Sequence, residues 1–164
     1  MNRRAFVTGL GAVVAAPRAA EAQLVGRAWR IGVLSGSPPT TPEAARPWEA
    51  LFQGLAELGY VEGQNLTVER RWAEGRAERY HELAAELVAL KPHVIVAAYT
   101  PAVSAVKRAT STIPIVIAIP GDPVGAGLVS SLARPGGNIT GMSAQNSPEL
   151  AGNACSFLRK RSQD

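Results

Sequence analysis

The chain has 164 residues, of which 46% are hydrophobic, and this is enough for one folded domain with its own core. The formal charge of +4 includes Arg3, Arg4 and Arg18 near the amino terminus, and no basic stripe with interleaved aromatic residues follows. Binding to nucleic acid is therefore not expected, because it needs clustered positive charge. Cys155 is the only cysteine, which excludes an internal disulfide and a cysteine-rich zinc site.

At the amino terminus, residues 1–22 have the pattern of an export signal. Arg3 and Arg4 precede a mildly apolar run at residues 5–16, and Ala20 and Ala22 frame a small-residue cleavage site. The paired arginines favour the twin-arginine route, with a Sec signal as the alternative. Because the run is shorter than the ~20 residues that span a bilayer, no stable membrane insertion is expected after cleavage. The sequence thus predicts a periplasmic or other extracytoplasmic protein.

Between residues 30 and 90 the hydrophobic pattern predicts a strand, a helix, a second strand and a second helix. The strands are residues 31–34 and the alternating residues 66–72, which we place near a sheet edge. The first helix has an apolar stripe and ends at Gly59. The stripe consists of Trp48, Leu51, Phe52, Leu55 and Leu58. The second helix has a similar stripe, consisting of Tyr80, Leu83, Ala84, Leu87 and Leu90.

The same alternation continues to residue 142. Residues 94–98 and 113–119 have the continuous apolar character of central parallel strands, and residues 139–142 form a fifth strand. Thr100 is placed as the cap of a third helix that continues with Pro101. A fourth helix is placed after Asp122, with Val124, Leu128 and Leu132 on its buried stripe. This order predicts an α/β fold, an open and mostly parallel sheet with helices on both faces.

Polar side chains follow four of the predicted strands. In open parallel sheets, ligands bind beyond the carboxyl ends of the strands, where loop amides and helix amino termini converge. Hydroxyl groups there can fix a small polar ligand, and the Tyr99 ring can cover an apolar portion of it. Thr100 and Asp122 are equally suited to capping helices, and the serines to turns. The candidate ligand-binding residues are Ser35, Ser37, Tyr99, Thr100, Asp122 and Ser143.

The sequence offers no catalytic constellation. His81 belongs to the wet side of a predicted helix, and His93 precedes a strand at the end opposite the expected site. The motifs of serine hydrolases, P-loop NTPases and zinc proteases are absent from the sequence. We therefore expect a protein that is not an enzyme and has no catalytic residue, cofactor or metal.

Several stretches resemble one known family. They read FQGL at 52–55, LGYVEGQN at 58–65, RWAEG at 71–75, LAAELV at 83–88, ATSTIPIV at 109–116, GDPVGAGLV at 121–129 and SLARPGGNITG at 131–141. Together they are similar to the substrate-binding proteins of ABC transporters that are related to predicted amino-acid importers. The resemblance implies the type I periplasmic-binding-protein fold, in which two lobes trap a solute and deliver it to an ABC permease.

The resemblance also divides the chain. Residues 1–22 are expected to be the export signal, 23–29 a linker, 30–152 the first lobe, and 153–164 a divergent tail with the second lobe missing. The implied function is capture of a small polar, amino-acid-like solute, impaired by truncation because half of the enclosing contacts would be absent. Two alternatives are the ligand-sensing core of a transcription regulator and a small α/β enzyme that uses Asp122 as acid or base.

Overall fold

The described part of the chain is built around a parallel five-stranded sheet. The computed structural model describes residues 28–118, 124–130 and 137–141. The strands are β1 (Trp29–Ser35), β2 (Leu66–Trp72), β3 (Val94–Ala98), β4 (Ile115–Ala118) and β5 (Ile139–Gly141). Their order across the sheet is β2-β1-β3-β4-β5, and every pairing is parallel. The predicted open parallel sheet is confirmed, and so is the position of β2 at its edge.

Three helices are described, α1 (Pro42–Glu57), α2 (Arg79–Ala89) and α3 (Thr100–Ala109). Helix α1 begins where the Thr41 hydroxyl accepts a hydrogen bond of 3.3 Å from the Ala44 amide, and Pro42 takes the first helical position. It ends where Gly59 adopts a φ of 88°, as the sequence predicts. None of the helices between residues 28 and 141 that the structure describes is long and apolar enough to span a membrane.

Each face of the sheet carries its own hydrophobic core, because successive strand side chains point to opposite faces. One face packs against α1 through a cluster that includes Ile31, Val33, Val96, Leu51 and Leu55. The other face packs against α2 and α3 through a cluster that includes Leu34, Ile95, Ile115, Leu87 and Val106. The prediction of helices on both faces is therefore confirmed.

The segment after β4 differs from the sequence prediction. Residues 124–127 form a turn rather than a helix, closed by a hydrogen bond of 2.9 Å from the Gly127 amide to the Val124 carbonyl. Val124 is 43% exposed, so its assignment to a buried helical stripe is wrong, whereas Leu128 is buried as predicted. The reason is the pair of glycines in the turn, since glycine disfavours helix and Gly127 has a φ of 67°. Leu132 lies outside the described residues.

Candidate functional site

The carboxyl ends of β1 and β2 bring the first candidate residue against an aromatic ring. Ser35 is the last residue of β1 and is in register with Trp72, the last residue of β2. The Ser35 carbonyl accepts a hydrogen bond of 3.0 Å from the Ala73 amide, which holds the two strand ends together. The Ser35 side chain is on the α1 face of the sheet, because Ser35 follows Val33 by two residues.

Ser35 is only 2% exposed, yet its hydroxyl makes no hydrogen bond to any other part of the chain that the structure describes. A hydroxyl that is not engaged within the chain is available to donate a hydrogen bond to a ligand and to accept one from it. Ser37, two residues further into the β1–α1 loop, is exposed.

Tyr99, directly after β3, has an unusual backbone conformation. Its φ of 68° and ψ of 152° lie in a region that glycine adopts readily and other residues almost never do. The conformation is held by two hydrogen bonds of 3.2 Å, from the Tyr99 amide to the Ala118 carbonyl and from the Val103 amide to the Tyr99 carbonyl. Tyr99 as a whole is 49% exposed. The turn out of β3 therefore presents a tyrosine to solvent at the edge where the ligand is expected.

Thr100 is not the helix cap that the sequence predicts. Helix α3 already begins at Thr100, and Tyr99 occupies the capping position with no side-chain hydrogen bond to the helix. The cause is the Tyr99 conformation, which starts the helix one residue earlier than expected. Thr100 is half-buried, and no hydrogen bond to its hydroxyl is found within the described residues. Its hydroxyl is therefore not committed to a capping role.

Tyr80 lies at the same edge, and sequence reasoning had placed it only on a packing stripe. A Cβ added at Gly36, in the loop after β1, would lie 3.0 Å from the Tyr80 phenol oxygen. Burial raises the pKa of Tyr80, and the charge of an ionised Tyr99 raises it further. The sequence could have indicated this position of Tyr80. Tyr80 lies in the first turn of α2, and the helices that follow parallel strands begin near the carboxyl edge of the sheet.

A groove of about 480 Å³ lies beside Ser35, between α1 and the strands β1 and β2. Its lining is mostly apolar and consists of Val33, Pro39, Ala45, Trp48, Glu49, Phe52, Arg70 and Trp72. The Trp48 and Trp72 rings meet edge to face with centroids 6.0 Å apart. We call this cavity the tryptophan groove. Trp72, the last residue of β2, thus both packs against Trp48 and lines the cavity.

A charged group on one side of the groove is already paired. Arg70 donates two hydrogen bonds of 2.7 Å to the two carboxylate oxygens of Glu62, and its guanidinium lies 4.8 Å from the centroid of the Phe52 ring. The hydrogen bond from Arg70 holds the pKa of Glu62 below its ordinary value. The Arg70 charge is therefore largely balanced by Glu62.

The remaining candidate residues, Asp122 and Ser143, lie outside the described residues. The structure therefore brings Ser35, Ser37, Tyr99 and Thr100 to one edge of the sheet. It adds Tyr80 to that edge and leaves the positions of the other two as predictions.

Comparison with known proteins gives this arrangement a family. Residues 43–151, about two thirds of the chain, match the profile of the ABC transporter substrate binding proteins. The chain belongs to this family. Its members are substrate-binding, non-enzymatic components of transporters and lie outside the cytoplasm. The resemblance stated from the sequence motifs is confirmed.

Individual relatives of this substrate binding protein agree with the family. A tyrosine-binding protein of Clostridioides difficile strain R20291 is 34% identical over 102 residues, which are 62% of this chain and 30% of that protein. The structure of an ABC domain from Streptococcus pneumonia in complex with L-Trp is 33% identical with a TM-score of 0.65, covering 71% of this chain and 38% of that one. The ligand-free, open structure of a substrate binding protein with adhesive properties from Clostridium difficile is 30% identical with the same TM-score, covering 70% and 38%.

The first relatives are much longer than the match. This substrate binding protein spans 30% of the tyrosine-binding protein and 38% of each of the two solved structures. A conserved domain protein from Vibrio cholerae, 29% identical with a TM-score of 0.67, is covered over 53% of its length. The shared region carries the parallel sheet and helices of one lobe.

Neither histidine belongs to the proposed set of ligand-binding residues. His81 is exposed on α2, and His93 lies at the amino end of β3, where its Nδ1 accepts a hydrogen bond of 3.0 Å from the Arg30 amide. Within residues 28–118, 124–130 and 137–141, no group of three His, Cys, Asp or Glu side chains is placed to hold a metal ion.

Proposed function

We propose that this chain is the solute-binding component of an ABC importer and captures a small polar molecule, an amino acid in preference to a sugar, without chemically changing it. The observation that carries the proposal is the Ser35 hydroxyl at the carboxyl edge of the sheet, which makes no hydrogen bond within the described residues, in a family of substrate-binding proteins. The names of two relatives, one binding tyrosine and one in complex with L-Trp, favour amino acids.

The proposed ligand-binding residues are the six predicted from the sequence, with Tyr80 added from the structure. Hydroxyl groups both donate and accept hydrogen bonds, so Ser35, Ser37 and Thr100 suit a zwitterion that carries both kinds of partner. The ring of the half-exposed Tyr99 covers the apolar portion of the solute. Asp122 and Ser143 complete the set in the proposal and supply a carboxylate for the ammonium group and a further hydroxyl.

The proposed organisation follows the sequence pattern. Residues 1–22 are an export signal, 23–29 a linker, 30–152 the first lobe and 153–164 a divergent tail. In this proposal the complete binding site also needs a second lobe, which closes over the solute and delivers it to the permease. In this proposal the first lobe supplies only part of the contacts to the solute, and the second lobe supplies the rest.

Calorimetric titration of the purified chain with L-amino acids, and with glucose and ribose for comparison, tests the proposal. We expect saturable binding of at least one amino acid, a rise of the melting temperature at saturation, and no binding of the sugars. Ser35→Ala should weaken binding about fivefold or more, because it removes a hydrogen bond worth about 1 kcal/mol.

Ser104→Ala is the matched control, because Ser104 is a partly buried serine on α3 outside the proposed site. It should leave the affinity unchanged. A folded chain that binds none of the amino acids, or equal effects of the two substitutions, would contradict the proposal.

A further inference from the structure

The tryptophan groove is continuous with the proposed binding edge. Its lining includes Pro39, from the same loop as Ser37, and Trp72, which is in register with Ser35. Val33 lines the groove and lies on the same face of β1 as Ser35, because they are two residues apart in the strand. A ligand held by the Ser35 hydroxyl can therefore extend into the groove without crossing the sheet.

The shape and lining of the groove select a flat apolar group. Trp48, Trp72 and Phe52 present aromatic surfaces, and the edge-to-face contact of the two tryptophans leaves ring surface facing the cavity. The volume of about 480 Å³ lies within the range of small-molecule sites and exceeds what a single planar ring system needs.

The charged residues of the groove determine whether it favours a positively or a negatively charged ligand. Two lining residues are charged, Arg70 and Glu49. Arg70 is balanced by the bidentate pair with Glu62, whereas Glu49 is exposed and makes no ion pair with any side chain in the described residues. The charges of Arg70, Glu62 and Glu49 therefore sum to one negative unit. This net charge attracts a cation and repels a carboxylate.

We propose that the tryptophan groove is a subsite for an aromatic ring that carries an ammonium group, with the ring packed against the groove-facing surfaces of Trp48 and Trp72 and the ammonium group at Glu49. The subsite rests on the proposed function to the extent that its natural occupant is the ring and α-ammonium group of an aromatic amino acid, whose carboxylate then faces the Ser35 hydroxyl. Aromatic surfaces around a cation add cation–π attraction to the charge of Glu49.

Three probes with the same indole ring test the subsite without assuming that the chain binds amino acids. They are tryptamine, which is positively charged, 3-methylindole, which is neutral, and indole-3-acetate, which is negatively charged. Titration calorimetry should give the affinity order tryptamine, 3-methylindole, indole-3-acetate, with roughly a tenfold difference between the first and the last. Equal affinities of the two charged probes, or no binding of tryptamine, would overturn the proposal.

Two variants locate the binding. Glu49→Gln keeps the shape of the groove and removes the charge, so the tenfold preference should fall to about threefold or less. Ala45→Phe fills the groove and should abolish tryptamine binding. Its matched control is Ala56→Phe, since Ala56 is exposed near the other end of α1 and should leave binding unchanged. Tryptamine binding that survives Ala45→Phe would overturn the proposal.

A measurement on the unaltered chain remains decisive if the filled variant does not fold. In a nitrogen-15 spectrum, tryptamine should shift the indole N–H signals of Trp48 and Trp72, while that of Trp29, which packs against Tyr60 and His93, should not move. Shifts confined to Trp29, or no shift at all, would overturn the subsite.

Failure of the subsite and failure of the proposed function give different results when L-tryptophan is added to the probes. Binding of L-tryptophan that is weakened by Ser35→Ala and unaffected by Ala45→Phe overturns the subsite and leaves the solute-binding function standing. If the chain binds tryptamine, responds to Glu49→Gln and Ala45→Phe as expected, and binds no amino acid, the result supports the subsite and overturns the proposed function.

Discussion

Tyr99 carries the largest backbone distortion among the candidate residues. A non-glycine residue in its region of φ and ψ costs roughly 1–3 kcal/mol, and such distortions cluster at ligand sites. In this chain the distortion places a half-exposed tyrosine at the carboxyl edge of β3. Glycine would adopt this backbone conformation at a lower cost. A role of the ring in binding explains why a tyrosine stands here instead.

Tyr99→Gly should therefore stabilise the chain and weaken solute binding. Removing the strain gains roughly 1–3 kcal/mol, and the greater freedom of glycine in the unfolded chain returns roughly 0.5–1 kcal/mol. The net expectation is a gain of about 1 kcal/mol, measured by urea denaturation. Tyr99→Ala is the control, because alanine loses the ring and keeps the strain; an equal gain from alanine would show that the backbone is not the cause.

Tyr80 provides a pH-dependent signal at the same edge. Its pKa is raised, first by burial and then by the charge of Tyr99, so the folded chain holds this proton more tightly than the unfolded chain does. The resulting stabilisation is fully present below about pH 10, the unfolded value, and is lost as the pH rises through the higher folded-state pKa.

Alkaline titration followed by phenolate absorbance should show late ionisation of Tyr80, and Tyr80→Phe should remove that contribution. Tyr99→Phe should move the ionisation of Tyr80 back toward the ordinary range, because it removes the neighbouring charge. Unchanged late ionisation in Tyr80→Phe would assign the raised pKa to a different phenol.

At the level of elements, the connection from α1 to β2 depends on one amide side chain. The Asn65 Oδ1 accepts a hydrogen bond of 2.8 Å from the Val61 amide, and its Nδ2 donates one of 2.8 Å to the Gly59 carbonyl. The Asn65 carbonyl also accepts a bond of 2.8 Å from the Trp29 amide, which fixes the start of β1. This network gives a structural role to the LGYVEGQN stretch that the sequence analysis singled out.

Asn65→Asp should lower the free energy of unfolding by about 1 kcal/mol, since a carboxylate still accepts from Val61 but cannot donate to Gly59. Asn65→Ala removes both bonds and should cost about 2 kcal/mol. The exposed neighbour Gln64 offers the control, because Gln64→Glu makes the same amide-to-acid change without a bond to lose. Denaturation by urea measures all three, and equal effects of the Asp and Glu changes would contradict this role.

The elements themselves were predictable because their signals are local. Alternation placed β2 at the edge, apolar runs gave β3 and β4, and the stripe ending at Gly59 gave α1. The wrong prediction at Val124 has a local cause too. The apolar spacing favours a helix there, but the two glycines disfavour one and the segment forms a turn. Thr100 was misplaced by one residue because its neighbour adopts a conformation that tyrosine rarely takes.

At the level of the whole molecule, the parts of the site that depend on strand order were less predictable. The rule that ligands bind at carboxyl ends brought Ser35 and Thr100 to one edge without any structure. The tryptophan groove was not foreseen, because it exists only where β1 and β2 are neighbours in register and α1 crosses them. Tyr80 was missed for a similar reason, since its contact at Gly36 joins residues from two different connections.

The sequence at the amino terminus bears on where the whole molecule works. If residues 1–22 are removed on export, the formal charge falls from +4 to +2, because three arginines and one glutamate leave with them. We predict that the exported protein begins at Gln23, which sequencing of its amino terminus would show.

Replacing Arg3 and Arg4 together by lysine should block export by the twin-arginine route and leave the precursor in the cytoplasm, because that route recognises the arginine pair and not its charge alone. Arg18→Lys, near the cleavage site, is the control and should not alter export. Normal export of the double-lysine variant would instead favour the Sec route, for which a positive charge is enough, and a protein that keeps Met1 would overturn the signal assignment.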